Sequence, residues 1–388
     1  MITTSTFFAP CPRGLEPVLS EELEGLGAQA IEGTHGGVTF RGPFNLCYAV
    51  NLESRIASRV LWQVHRGPYR SEQDIYRAAY DLPWPTWFSV RCRIKVRVEA
   101  RHCLLNSLDF ITLRIKDAVC DKFRKVGGLR PSVDTTSPDF RIHAFLNEKH
   151  VTLYLDTSGE PLFKRGLRKI SGAAPLRENL AAGILQLSGW KPDQALMDPM
   201  CGTGTILMEA AQMARNMAPG LNRRFAFQKL TSYDPTIWRQ LYRARRSQEA
   251  PSKPLAIYGY DKQALTLKAA QTNLKAAGLS DAVTLQQVDV LHIHPPAEKG
   301  IIVTNPPYGM RTGNPTQLAT FYPQFGDVLK HRFPGWRAYV FTADPLFPKL
   351  IGLASSRRTP LFNGALECRL LEYKLGLGSW RRSKRNSG

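Results

Sequence analysis

The stretch Asn305-Pro306-Pro307-Tyr308 closes the apolar run Ile301-Ile302-Val303. Two prolines fix φ and remove two backbone donors, so this turn presents acceptors, the Asn305 side-chain oxygen and the Pro306 carbonyl, with an aromatic ring at Tyr308. Such a turn suits a planar exocyclic amine, whose two N–H groups would meet two oxygens while its base stacks on the ring. Upstream, Asp198-Pro199-Met200-Cys201-Gly202-Thr203-Gly204-Thr205 leaves a short apolar strand and enters a helix spanning Thr205 to Ala214. Without Cβ atoms at Gly202 and Gly204, a ligand can lie against backbone at the strand ends, where α/β sheets hold cofactors. The pattern is not G-x-G-x-x-G, because position 207 is Leu, and it lacks the Gly-Lys-Ser/Thr of a phosphate-binding Walker loop. Asp261, followed by Lys262, is placed to accept two ribose hydroxyls, and Asp289, followed by Val290, to accept from an adenine amino group. Each Asp alone also fits a helix cap, and the glycine turn alone fits a tight connection with no ligand. Three acids at successive strand ends, followed by the proline turn, favour a cofactor site.

A doubly wound α/β sheet is what would line up these residues, and the alternation of strands and helices beyond Thr157-Ser158-Gly159-Glu160-Pro161, the best linker candidate, predicts one. Ahead of it, Leu15, Val18, Leu19, Leu23 and Leu26 form a helical stripe, and Gly36-Gly37-Val38-Thr39-Phe40 reads as turn and strand. The first 65 residues thus read as a small α+β unit of split βαβ type. From Val90 to Val98 apolar residues alternate with Arg91, Arg93, Lys95 and Arg97, which predicts a half-buried strand whose wet face is a row of cations. Ser107 to Val126 has helical periodicity through Phe110, Leu113, Ile115, Ala118, Val119 and Phe123, stopped by Gly127-Gly128. Two further strands, Arg141 to Leu146 and His150 to Leu155, flank a turn at Asn147-Glu148. The domains expected are therefore 1–65, 66–157 and 158–388.

The chain has 388 residues, with 52 Lys+Arg against 32 Asp+Glu and a net charge of +20. A polyanionic partner follows, nucleic acid before an anionic membrane. Residues 158–388 carry +17 of that excess. Within them Asp234 to Glu249 predicts a helix with Arg239, Arg243 and Arg246 on one face and Trp238, Leu241, Tyr242 and Arg245 on another. A solvated surface helix and a phosphate-tracking one fit equally. The same holds for Arg91, Arg93, Lys95, Arg97 and Arg101 as an RNA face or a solvated strand. Seven scattered cysteines without C-x-x-C spacing suggest neither disulfides nor zinc, and His292-x-His294 lacks further ligands, so no metal is expected. The start lacks a secretory pattern and no stretch reads as a membrane span, so a cytoplasmic protein is expected.

The glycine turn, Asp261, Asp289 and Asn305-Pro306-Pro307-Tyr308 together resemble the class I S-adenosylmethionine-dependent amino-methyltransferases. Phe163-Lys164-Arg165-Gly166-Leu167-Arg168 and Ala174-Pro175-Leu176-Arg177-Glu178-Asn179-Leu180-Ala181-Ala182 look like the segment joining a THUMP RNA-binding domain to its methyltransferase. Cys11-Pro12-Arg13-Gly14-Leu15-Glu16 and residues 36–40 resemble the N-terminal ferredoxin-like part, and about 66–156 is similar to THUMP. Length and motifs look most like stand-alone relatives of the 23S ribosomal RNA guanine-N2 methyltransferase. The resemblance implies an α/β chain, a ferredoxin-like plus THUMP module before a Rossmann-like methyltransferase domain. It implies S-adenosylmethionine bound by Asp198, Cys201, Gly202, Thr203, Gly204, Asp261, Lys262, Asp289, Val290 and Asn305, and catalysis by Asn305, Pro306, Pro307 and Tyr308. The expected target is a guanine N2 in structured RNA, guanosine 2445 of 23S rRNA or a ribosome assembly intermediate. A tRNA guanine is the runner-up, and a non-catalytic RNA-binding assembly factor is the alternative of another class. The chain is expected as a monomer or weak dimer. The insert Asn216 to Pro254, rich in Arg, is where substrate differences would reside.

Overall fold

The computed structural model describes residues 4–170, 176–307 and 315–376. They fall into two compact units, Met1–Gly166 with Ala218–Gln248, and Leu167–Met217 with Glu249–Gly388.

The first unit contains β1 (Thr4–Pro10), α1 (Glu16–Gly25), β2 (Gln29–Thr34), β3 (Gly37–Pro43), α2 (Leu46–Glu53), β4 (Leu61–Pro68), α3 (Glu72–Tyr80), α4 (Trp84–Trp87), β5 (Ile94–Ala100), α5 (Leu108–Gly127), β6 (Phe140–Leu146) and β7 (His150–Asp156). All seven strands form one sheet, ordered β2-β3-β1-β4-β7-β6-β5. β4 joins its two halves, pairing with β1 through Phe7↔Trp62 and with β7 along its whole length, so the border expected at 65/66 lies inside a strand. In α1 the expected stripe Val18, Leu19, Leu23 is buried. Ser107 caps α5 by accepting from Phe110 N (3.2 Å), and Gly128 ends it at φ 73°.

Four expectations change here. α5 turns Ile111 and Ile115 inward, one turn apart, which leaves Phe110 and Leu113 about half exposed (49% and 51%) rather than in the core. β5 begins at Ile94, not Val90: Cys92 N donates to Ser89 O (2.9 Å) in a turn, and Arg93 N donates to the Asp139 side chain (2.7 Å), just before β6. The cation row is also not free: Arg93 pairs with Asp134 (2.8 Å), Lys95 Nζ donates to Thr135 O (2.8 Å) and Arg97 pairs with Glu99 (2.9 Å). Finally, the segment read as a linker is pinned. Thr157 Oγ1 donates to Val60 O (2.7 Å), Ser158 Oγ donates to Asn51 Oδ1 (2.6 Å), and both residues are fully buried.

The second unit contains α6 (Glu178–Leu187), β8 (Ala195–Asp198), α7 (Thr205–Ala214), β9 (Ile257–Asp261), α9 (Ala264–Ala276), β10 (Thr284–Gln287), β11 (Gly300–Thr304), α10 (Pro315–Arg332), β12 (Arg337–Thr342), α11 (Phe347–Leu350), β13 (Arg357–Asn363) and β14 (Leu366–Lys374), while α8 (Pro235–Ser247) follows α7 in sequence but packs in the first unit. Its sheet runs β10-β9-β8-β11-β12-β14-β13, parallel except for β14, which is antiparallel to both its neighbours. Strand order reverses beside β8, the first strand, and its carboxyl end is the switch point where such sheets bind ligands. Beneath it Met197, Tyr260 and Ile302 join Tyr322, Phe325 and Trp336 in one apolar core.

Residues 218–248 show no sequence sign of leaving the span 158–388, yet they dock on α2. Gly220 N donates to Leu52 O (2.9 Å), and a Cβ at 220 would stand 2.8 Å from that backbone, so the approach requires glycine. The Tyr48 ring stacks on Phe227 (centroids 4.4 Å, 18°), and Trp238 meets Tyr48, Phe225 and Phe227 edge-on. Tyr48 Oη accepts from Asp234 N (3.1 Å), and Asp234 caps α8 through Thr236 N (2.8 Å). α8 keeps its two expected faces, with Trp238 buried, Leu241, Tyr242 and Arg245 half-buried, and Arg239, Arg243 and Arg246 exposed. Arg245 reaches Glu53 (3.0 Å), whose carboxyl is pushed up by burial against the pull of that guanidinium.

Candidate active site

The carboxyl ends of β8, β9 and β11 bring together Asp198, the glycine turn, Asp261 and Asn305. The turn is shaped by backbone. Cys201 N donates to Tyr260 O (2.9 Å) and Gly204 N to Cys201 O (2.9 Å), with φ of 55° at Gly202 and 83° at Gly204. Both values lie in the left-handed region that favours glycine. Nothing stands within 4 Å of the position a Cβ on Gly202 would take, so the backbone there faces open space. Below, Gly259 of β9 makes room for the turn, since a Cβ would fall 2.3 Å from Leu207 and 3.3 Å from Cys201 Sγ.

Asp198 is buried, and its pKa is pushed up to about 7 by desolvation, reinforced by the charge of Asp261. The neighbouring Thr304 hydroxyl and the Met200 N–H, which donates to Asp198 Oδ1 at 3.2 Å, pull the other way without cancelling it. Among the described residues no cation pairs with this carboxylate. A buried acid so placed fits an incoming ammonium group. Asp261 accepts from Gly202 N (3.1 Å) with one oxygen and from Gln263 N (2.9 Å) with the other. Each oxygen keeps a second lone pair for a hydroxyl. Lys262 contributes its carbonyl, accepting from Gln287 Nε2 (3.1 Å).

Asp289 lies two residues beyond β10, not on it, where it caps a short turn over Val290–His292 by accepting from Leu291 N (3.0 Å). Asn305 Oδ1 is buried and has no hydrogen-bond partner among the described residues. A buried acceptor left unpaired is costly, so a donor reaching this oxygen would be stabilising. Pro306 is buried and Pro307 exposed; Tyr308 lies outside the described residues, as do Ala174, Pro175 and the basic tail Arg381 to Arg385. The Cys201 thiol is held protonated, its pKa raised by burial and then by Asp198 and Asp261, which removes it as a nucleophile.

Arg165 and Arg168 of the joining segment anchor in different units. Arg165 is 2% exposed and donates to Leu162 O (2.8 Å) and Arg55 O (2.7 Å) in the first. Arg168 donates to Thr205 Oγ1 (2.6 Å) and Leu176 O (3.0 Å) in the second, and its Nε lies 3.3 Å from Glu178. Both arginines stand in a segment that the sequence singles out, but nothing local shows that Arg168 grips the first residue of α7. Sequence reasoning missed Thr304 entirely, although a threonine directly before Asn305 is the available signal. Of the expected RNA contacts, Arg91 and Arg101 are exposed next to β5, while Arg239 Nε turns back to Pro235 O (3.0 Å).

Known proteins share this arrangement. Residues 165–372 match the family described as RMKL-like, methyltransferase domain, 69–156 match the THUMP domain, and 6–61 match the RlmL ferredoxin-like domain. The chain belongs to the RMKL-like methyltransferase family. That family is S-adenosylmethionine-dependent. The expected order, ferredoxin-like and THUMP domains before a Rossmann-like methyltransferase domain, is the order found. The chain is 37% identical over 374 residues to the Synechocystis sp. protein named "Putative RNA methyltransferase slr0064", covering 96% of this chain and 97% of that one. It is 39% identical over 381 residues to ribosomal RNA large subunit methyltransferase K/L of Shewanella loihica, covering 97% of this chain but 54% of that one. The chain thus spans about half the length of the K/L relatives. Among solved structures, the SAH complex of SMU.472 superposes with a TM-score of 0.88 at 28% identity, over 98% of this chain and 100% of that one.

Proposed function

We propose that this chain is a cytoplasmic RNA methyltransferase that moves a methyl group from S-adenosylmethionine to the exocyclic N2 of a guanine. Its proposed substrate is 23S rRNA or a ribosome assembly intermediate, ahead of tRNA. The observation that carries the reading is the buried Asn305 Oδ1 at the end of β11, unpaired among the described residues, with the backbone of Gly202 in the glycine turn facing open space. The RNA substrate is supported by the THUMP match and by the names of the relatives.

S-adenosylmethionine supplies an electrophilic methyl on a sulfonium. Asp198 would neutralise the methionine ammonium, Gly202 would give it backbone clearance while Gly204 lets the turn close on α9, Asp261 would hold the ribose and Asp289 with Val290 the adenine. A guanine amine is a poor nucleophile because its lone pair is delocalised into the ring. Asn305 Oδ1 and the Pro306 carbonyl would accept its two hydrogens and turn the lone pair toward the methyl, so that much of the barrier becomes positioning. No strong base is needed, because the nitrogen becomes acidic once methylated and its proton leaves to water. The base must leave its stack to arrive there. The RNA-facing surface is proposed to be Arg91 and Arg101 with Arg239, Arg243 and Arg246, all of the first unit.

Nucleoside mass spectrometry tests this. Purified protein, S-adenosylmethionine and unmodified 23S rRNA should yield N2-methylguanosine. N6-methyladenosine would move the target to another amine, and saturable RNA binding with no methylated nucleoside would favour the assembly factor.

A further inference from the structure

The inward face of α9 supports the glycine turn through two residues one turn apart. Ala270 Cβ lies 3.3 Å from where a Cβ on Gly204 would stand, so helix and turn are in contact. Asn273 is fully buried and uses every hydrogen-bonding position of its amide. Oδ1 accepts from Lys169 N and Ile170 N (2.9 Å each), while Nδ2 donates to Ile170 O (2.9 Å) and Thr203 O (3.1 Å). Helix α9 itself has no use for this amide, since an aliphatic side chain beside Ala270 and Leu274 would fill the core without a polar group to satisfy. What the amide does is join two pieces of irregular backbone: residues 169–170 and the carbonyl of Thr203, which sits between the two glycines.

We propose that Asn273 is a positioning residue for cofactor binding, a clamp that holds the glycine turn in its ligand-ready shape by tying Thr203 to residues 169–170. Gly202 and Gly204 both adopt positive φ, a conformation glycine enters and leaves at little steric cost, so sequence alone does not hold the turn. The bond to Thr203 O from one side and the Arg168 bond to Thr205 Oγ1 from the other fix residues on both flanks of Gly204. Turn order is thereby established before the ligand arrives, which lowers the cost of binding without touching the reacting atoms. The inference rests on the proposed cofactor reading and goes beyond it, because Asn273 contacts only protein.

The test uses the full chain with S-adenosylhomocysteine and S-adenosylmethionine as probes. Asn273→Asp keeps the two acceptor bonds but sets an oxygen against the Thr203 and Ile170 carbonyls, and Asn273→Leu removes all four bonds. Both should weaken S-adenosylhomocysteine and raise the KM for S-adenosylmethionine by about tenfold or more, while kcat at saturating cofactor stays within about twofold. In the unaltered protein, saturating S-adenosylhomocysteine should slow hydrogen exchange at the Lys169 and Ile170 amides, a readout that does not depend on any variant folding. Lower thermal stability with wild-type KM and affinity would make the residue merely structural and overturn the proposal, as would exchange at 169 and 170 that ignores the ligand. Failure of the unaltered protein to bind S-adenosylhomocysteine would overturn the cofactor reading, and this inference with it.

Discussion

Asp261 Oδ2 accepts a hydrogen bond from Gly202 N at 3.1 Å, across 59 residues of sequence. One carboxylate therefore shapes the turn and, in the proposed cofactor reading, would also hold the ribose. Asp261→Ala removes both contributions. It should weaken S-adenosylhomocysteine by well over tenfold in calorimetry, a larger loss than one ribose contact alone would give. Asp261→Asn, which keeps an acceptor for Gly202 N, should lose less. Equal affinities for the two variants would contradict the double role.

The raised pKa of Asp198 sets a pH window. Its folded value of about 7 lies above the ordinary 3.8, so in the free protein its contribution to stability is present below the unfolded value and lost as pH rises through 7. The penalty approaches about 4 kcal/mol above pH 7. Asp198→Asn should accordingly raise the thermal midpoint of the free protein at pH 8. Cofactor affinity should have the opposite slope, because in the proposed reading the ionised acid is what meets the ammonium. Between pH 7.5 and 6 the affinity of the unaltered protein should fall by roughly tenfold, and the Asn variant should show a flat profile.

The strap 218–248 should be needed by the first unit for its stability. Trp238→Ala empties a position buried among Tyr48, Phe225 and Phe227 and should cost about 3–5 kcal/mol in denaturant unfolding. Gly220→Ala, with its Cβ against Leu52 backbone, should also destabilise, by 1 kcal/mol or more on the order of an overpacking substitution. An unchanged midpoint for both would mean the docking contributes nothing.

Most of the catalytic fold was legible because its signals are local. Alternating strands and helices, glycines at a strand end and two prolines after Thr304 each constrain their own neighbourhood. What was illegible depends on distant partners. That Trp238 faces Tyr48, or that Asn273 reaches Thr203, follows only from packing, and a polar residue inside an apolar helix face was the one hint for the latter. The cation row on β5 shows the same limit: the pattern shows which face is wet, but not that Arg93 pairs with Asp134 and Asp139 and Arg97 with Glu99.

α8 offers the cleaner RNA test. Replacing Arg239, Arg243 and Arg246 by Ala leaves the packed face intact. RNA affinity should fall uniformly across sequences, and the slope of its logarithm against log salt should become shallower by about one for each phosphate that an arginine no longer neutralises. Cofactor affinity should be untouched. An unchanged salt slope would return this face to a solvated surface.

Asn305 is proposed to orient the accepting amine, not to hold the cofactor. Single-turnover methylation by Asn305→Ala, with S-adenosylhomocysteine affinity measured on the same preparation, addresses it most directly. Affinity should stay within about threefold of the unaltered protein while the methyl-transfer rate falls by about 100-fold or more. A transfer rate close to that of the unaltered protein would contradict it.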